Sequence, residues 1–149
     1  NFISAIPTNF YGPYDDFDEG GHVLASLFKK FHTAKKEKKE SVKVWGTGKP
    51  KREFLFVDDI AEACILLMAN YDNSELINIA GGRELSIKKL AEIIKKITGF
   101  QGKIIYETDK PDGIPRRLLE GSKISKLGWR PKVKLDQGLK STYQWYIKN

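Results

Sequence analysis

Arg52 lies in the run Trp-Gly-Thr-Gly-Lys-Pro-Lys-Arg-Glu-Phe-Leu-Phe-Val-Asp-Asp, residues 45–59, just ahead of the apolar stretch Phe54 to Val57. A guanidinium anchored by a rigid strand suits bidentate capture of a phosphate. His22 stands at the head of a helical pattern. Imidazole titrates near neutrality, so it suits proton transfer. At a helix start the same residue also serves as a cap or a surface group. Cys64 sits among Ala63, Ile65 and Leu66 and reads as a small buried hydrophobe rather than a nucleophile. It is the single cysteine, which leaves no internal disulfide and no thiolate cluster for zinc.

Three tempting motifs fail. Gly46-Thr-Gly48-Lys49 has the look of a phosphate loop, but Lys43 occupies the place of the first glycine and Pro50 that of the Ser or Thr. No Gly-x-Gly-x-x-Gly occurs. Tyr106 and Lys110 have the Tyr-x-x-x-Lys spacing, yet that pair needs a helix to share one face. Here Tyr106 ends a predicted strand and Lys110 precedes Pro111.

The elements that must position these residues alternate. Phe2 to Ile6 reads as a buried strand, and such a strand needs neighbours for its backbone groups. Pro7 to Pro13 reads as the turn at its end, where open parallel sheets bind ligands. The acidic and Gly-rich residues 14 to 21 read as a mobile loop. A helix is expected from His22 to about Ala34, with Leu24, Leu27, Phe28 and Phe31 inward. Strands are expected at Val42–Trp45, Glu53–Val57, Leu76–Ala80 and Lys103–Tyr106. Asp58 is expected to cap a helix reaching Ala69, with Ile60, Ile65, Leu67 and Met68 inside. Ser86 caps the clearest helix, in which Ile87, Leu90, Ile93, Ile94 and Ile97 keep helical spacing up to Gly99. Helices over Ser122–Leu127 and Leu135–Ile147 follow.

The chain has 149 residues, 40% of them hydrophobic and 11% aromatic, enough for a core and unlike a disordered segment. No apolar run approaches a membrane span and no signal peptide is visible, so a cytoplasmic protein without a membrane partner is expected. The net charge is +7, and part of the excess is Lys29, Lys30, Lys35, Lys36, Lys38 and Lys39. Without interleaved aromatics this cluster reads as a helix end fraying into a solvated loop, not as a nucleic-acid surface.

Several segments carry a resemblance to a known family. They are Pro-Thr-Asn-Phe-Tyr-Gly-Pro at 7–13, His22 before a basic helix, the run at 45–54, and Val-Asp-Asp at 57–59. Lys-Pro-Asp-Gly-Ile-Pro-Arg-Arg at 110–117, Leu-Gly-Trp and Ser-Thr-Tyr-Gln-Trp complete them. Along its whole length the chain resembles the C-terminal part of a group in the extended short-chain dehydrogenase/reductase family. These are the enzymes that convert GDP-4-keto-6-deoxymannose to GDP-L-fucose. The resemblance implies an α/β fold, with residues 1–13 ending a Rossmann sheet and residues 14–149 forming a sugar-nucleotide-binding domain. It implies 3,5-epimerisation followed by NADPH-dependent 4-reduction, in a homodimer. It makes His22 the catalytic acid, next to the cofactor. Pro7, Thr8, Asn9 and Phe10 become the wall on the nicotinamide side of NADP(H). Lys30, Trp45 and Arg52 become holders of the GDP-sugar, with Asp112 and Lys103 on the same side. The family's dinucleotide loop, catalytic Ser and Tyr, and base Cys would lie upstream, so this chain alone is expected to be inactive. A non-catalytic sugar-nucleotide-binding module, or part of an enzyme for another nucleotide sugar, is the alternative.

Overall fold

The computed structural model describes residues 2–18 and 21–149. Asn1, Glu19 and Gly20, which belong to the expected first strand and acidic loop, lie outside the described residues. The elements run β1 (Ala5–Pro7), β2 (Asn9–Tyr11), α1 (Val23–Lys36), β3 (Ser41–Trp45), β4 (Lys51–Phe56), α2 (Val57–Asn70) and β5 (Ile77–Ile79). They continue with β6 (Arg83–Ser86), α3 (Ile87–Thr98), β7 (Lys103–Glu107), β8 (Arg116–Arg117), α4 (Ser122–Lys126) and α5 (Leu135–Tyr146). The α/β class is as expected. Pairing is mainly parallel: β1 with β5, β3 with β7, and β4 with both β2 and β8, while β6 runs antiparallel to β4.

β4 is the joint of the molecule. Its side chains alternate, as a pleated strand requires. Phe54 and Phe56 enter a core built with α1, α3 and α5, and Leu55 enters a second one with Ile60, Leu67, Ile77, Ile79 and Trp129. Ile3 and Ala5 pack against this second core. β1 thus shares its packing with α2 and β5. Two buried carboxylates pin the joint. Glu53, 1% exposed, accepts from Gly81 N at 2.6 Å and Gly82 N at 2.7 Å. Asp59, 2% exposed, accepts from Lys132 N at 2.9 Å and Val133 N at 3.1 Å. Such backbone bonds offset the cost of burying a charge.

Several expectations need correction. The first strand is Ala5–Pro7, and Phe2 and Ile6 are exposed. An apolar run was read as covered on both faces, but among the described residues only β5 pairs with it. Asn9–Tyr11 is a strand rather than part of a turn, because β4 supplies its partner. The strand expected at Glu53–Val57 is Lys51–Phe56. Phe56, not Asp58, occupies the N-cap of α2, and Asp58 falls in its first turn. Cys64, Ile65 and Met68 are exposed rather than inside. α1 does not fray: Lys38 takes a left-handed conformation (φ 54°) and Lys39 N donates to Ala34 O at 2.8 Å. The described part of the acidic loop is fastened by its own hydrogen bonds and by an aromatic anchor. Asp16 N donates to Asp15 Oδ1, Asp18 N donates to Asp16 Oδ1, and Phe17 is buried against Trp145 and Tyr146. No helix among the described residues is long and apolar enough to cross a membrane.

Candidate functional site

His22 enters the site as the N-cap residue of α1, yet its ring makes no capping bond. The ring is therefore not spent on the helix start. With Pro7, Thr8, Asn9, Phe10 and Arg117 it lines a cleft of about 220 Å³. The strand register explains the loop's place. Thr8 Oγ1 and Asn9 Nδ2 both donate to Glu53 O, at 3.4 and 3.0 Å, which ties the end of β1 and start of β2 to β4. Phe10, 42% exposed, offers a flat ring there.

Val23 also lines a second cleft of about 580 Å³, shared by Leu27, Lys30, Val44, Trp45 and Ile87. Lys30 reaches across from α1, its Nζ 5.7 Å from the centre of the Trp45 ring. Trp45 is 66% exposed, so it is not a core residue. An exposed indole with a cation over it forms a flat, positively charged wall.

Arg52 lies on β4 opposite Arg117 of β8 in parallel register. Its Nη1 donates to Lys51 O at 2.7 Å. Neither guanidinium makes an ion pair among the described residues. Glu53, the neighbouring carboxylate, is turned toward Gly81 and Gly82, while Arg116 is taken by Glu84. Two adjacent unneutralised guanidiniums attract an anion from outside the chain. Arg117 carried no role in the sequence reading. Its signal was the Arg-Arg pair closing the Lys-Pro-Asp-Gly run, but only the β4 register shows which arginine joins the site.

Asp112 lies beside this wall but is already engaged. Its Oδ1 accepts from Thr47 N at 2.7 Å and its Oδ2 from Thr47 Oγ1 at 2.6 Å. These bonds, helped by Lys49, hold its carboxyl below the usual carboxylate range. Gly46 (φ 74°) allows the approach, since a Cβ there would collide with the Asp112 carboxylate. Asp112 thus fastens the segment after β7 onto the turn after Trp45. Lys103 is set apart. It pairs with Ser41 at the opposite end of the β3–β7 ladder from Trp45, four register steps away, roughly 13 Å at about 3.3 Å per residue. His32, read as structural, is packed between Tyr143 and Tyr146, its Nδ1 3.0 Å from the Tyr143 hydroxyl. Burial first, then Lys36 and Lys35, lower its pKa.

Residues 1–80 match the model of the NAD dependent epimerase/dehydratase family. The chain is 53% identical over 148 residues to the probable GDP-L-fucose synthase 1 of Oryza sativa subsp. japonica, covering 99% of this chain and 45% of that protein. It is 40% identical to the GDP-L-fucose synthase of Escherichia coli K12, covering 100% of this chain and 50% of that protein. The crystal structure of a GDP-L-fucose synthetase from Naegleria fowleri superposes with a TM-score of 0.93 at 35% identity, over 99% of this chain and 46% of that one. The chain thus spans about half the length of the curated relatives it matches. With a family model matched over more than half the chain and the parallel αβ framework behind these clefts, the chain belongs to the NAD dependent epimerase/dehydratase family.

Proposed function

We propose that this chain is the sugar-nucleotide-binding part of an enzyme converting GDP-4-keto-6-deoxymannose to GDP-L-fucose, working with a separate dinucleotide-binding half. One observation carries the reading. His22 and the Pro7–Phe10 segment share a cleft with Arg117, which faces Arg52 across the ladder, and Val23 joins that cleft to the Lys30–Trp45 wall. In this reading Arg52, Arg117 and Lys30 neutralise the diphosphate, and Trp45 packs against a flat or apolar part of the nucleotide. The 4-ketone acidifies the C3 and C5 hydrogens. A base from the other half removes them, and His22 returns a proton to the opposite face of the enolate. NADP(H), when bound, supplies the hydride for the 4-ketone. The residues that would face its nicotinamide are Pro7 to Phe10, whose exposed Phe10 ring suits a planar neighbour.

The same reading gives the exposed stripe of α2 to the dinucleotide-binding half. It also extends, through the family resemblance, to a cytoplasmic homodimer. Asp112 acts in it by fastening the turn beside Trp45, and Lys103 has no part.

Calorimetric titration of GDP and of NADPH into the complete enzyme is the test. Arg52→Ala removes a charge-assisted contact of about 1.5–3 kcal/mol. That raises the GDP dissociation constant about tenfold to hundredfold, and Arg117→Ala acts in the same direction. NADPH affinity and the melting temperature stay near wild type. Unchanged GDP affinity in both variants would overturn the reading.

A further inference from the structure

The ring of His22 is not held by its helix; it is held by the loop before it. Asp15 Oδ1 lies 3.2 Å from His22 Nδ1. The two side chains differ sharply in exposure, 74% for His22 and 10% for Asp15. A carboxylate only accepts, so the contact requires a proton on Nδ1 and leaves Nε2 as the outward atom. Nε2 has no partner among the described residues, and the ring forms part of the cleft with Pro7–Phe10 and Arg117.

The loop is built to hold this contact. Asp15 Oδ1 also accepts from Asp16 N at 2.9 Å, which fixes the carboxylate from its own backbone. Phe17, two residues on, is anchored in the aromatic cluster of α5. The chain then returns close to its start. Gly21 N donates to Asp18 O at 3.1 Å, and a Cβ on Gly21 would collide with Asp16 O. That close return delivers His22 onto Asp15.

We propose that Asp15 is the positioning residue of the epimerisation acid. It holds His22 in the tautomer and orientation that present Nε2 to the sugar. This rests on the reading of His22 as the acid. In the step the ring acts as the doubly protonated imidazolium: its Nε2–H bond breaks as a C–H bond forms at the enolate carbon. The ring returns to its neutral form with Nδ1–H still on Asp15. Asp15 never touches the substrate.

The test uses the complete enzyme and two readouts: solvent deuterium incorporated at C3 and C5, and ¹⁵N chemical shifts of the His22 ring, assigned by their loss in His22→Gln. Asp15→Asn should lower incorporation about tenfold or more, short of the roughly hundredfold or larger loss in His22→Gln. It should mix the ring tautomers and leave KM for the sugar nucleotide within about twofold. Asp15→Glu, which retains a carboxylate, should recover part of the rate and the Nδ1–H tautomer. Asp16→Ala removes the side-chain acceptor of Asp18 N and so loosens the same loop without touching the ring, and it should stay within about threefold of wild type. Loss in His22→Gln with wild-type incorporation in Asp15→Asn would overturn the role of Asp15. An Asp16→Ala loss equal to that of Asp15→Asn would overturn it too, since loop order alone would then explain the effect. Wild-type incorporation in His22→Gln would instead overturn the reading of His22 as the acid.

Discussion

Helices α2 and α3 follow one another in the chain and present opposite outer faces. α3 exposes Lys88, Lys89, Glu92 and Lys96, all charged. α2 exposes Asp58, Glu62 and Asn70, but beside them Ala61, Cys64, Ile65 and Met68 at helical spacing, with Ile65 67% and Met68 80% exposed. Their inner faces are alike: Leu90, Ala91 and Ile94 close the first core, and Ile60, Ala63 and Leu67 close the second. The difference separates a finished surface from one suited to a partner. A contiguous apolar stripe on a helix marks a protein contact, and in the proposed enzyme the dinucleotide-binding half covers it.

The comparison breaks first at the cores. Ile94→Ala and Leu67→Ala, both at fully buried positions, should each cost about 2–5 kcal/mol in urea unfolding of the isolated chain. A Leu67→Ala loss below about 1 kcal/mol would mean that the second core is not a core without its partner. The helix starts come next. Ser86 Oγ accepts from Lys89 N at 3.1 Å, while Phe56 gives α2 no side-chain cap. Ser86→Ala should therefore cost about 1 kcal/mol. Asp58→Ala, which removes only a first-turn charge, should cost about 0.3–1 kcal/mol. The reverse order in melting experiments would contradict this assignment of caps. The smallest effect is the sharpest test of the stripe. Ile65→Lys should change the stability of the isolated chain by less than about 0.5 kcal/mol, and there Cys64 should react readily with a thiol reagent. In the complete enzyme Cys64 should be protected and Ile65→Lys should destabilise. Equal Cys64 labelling in both forms would leave the stripe uncovered.

The legibility of the two helices differs for the same reason. α3 has apolar residues on one stripe and charges elsewhere, with Ser86 before it and Gly99 after it, so period and caps agree locally. α2 carries apolar residues on part of its outer face as well as on its inner one. Its period therefore could not say which side faced the core, and Cys64, Ile65 and Met68 were placed wrongly. The short strands β2 and β8 were missed because two or three residues carry no period. They exist through β4, whose Phe54 stands opposite Asn9 and whose Arg52 stands opposite Arg117.

Local order was in the sequence: the α/β alternation, α1 and α3, the turn around Gly46, and residue types suited to phosphate binding and proton transfer. These depend on neighbours within a few positions, where backbone sterics, capping and side-chain period act. Tertiary structure alone decided which of those residues meet. Arg117 joins Arg52 through strand register, Lys30 crosses to Trp45 from another element, and Lys103 is left at the far end of its ladder. His22 meets Asp15 where Gly21 N comes back onto Asp18 O. Each of these contacts depends on register or chain return, which side-chain packing sets at a distance.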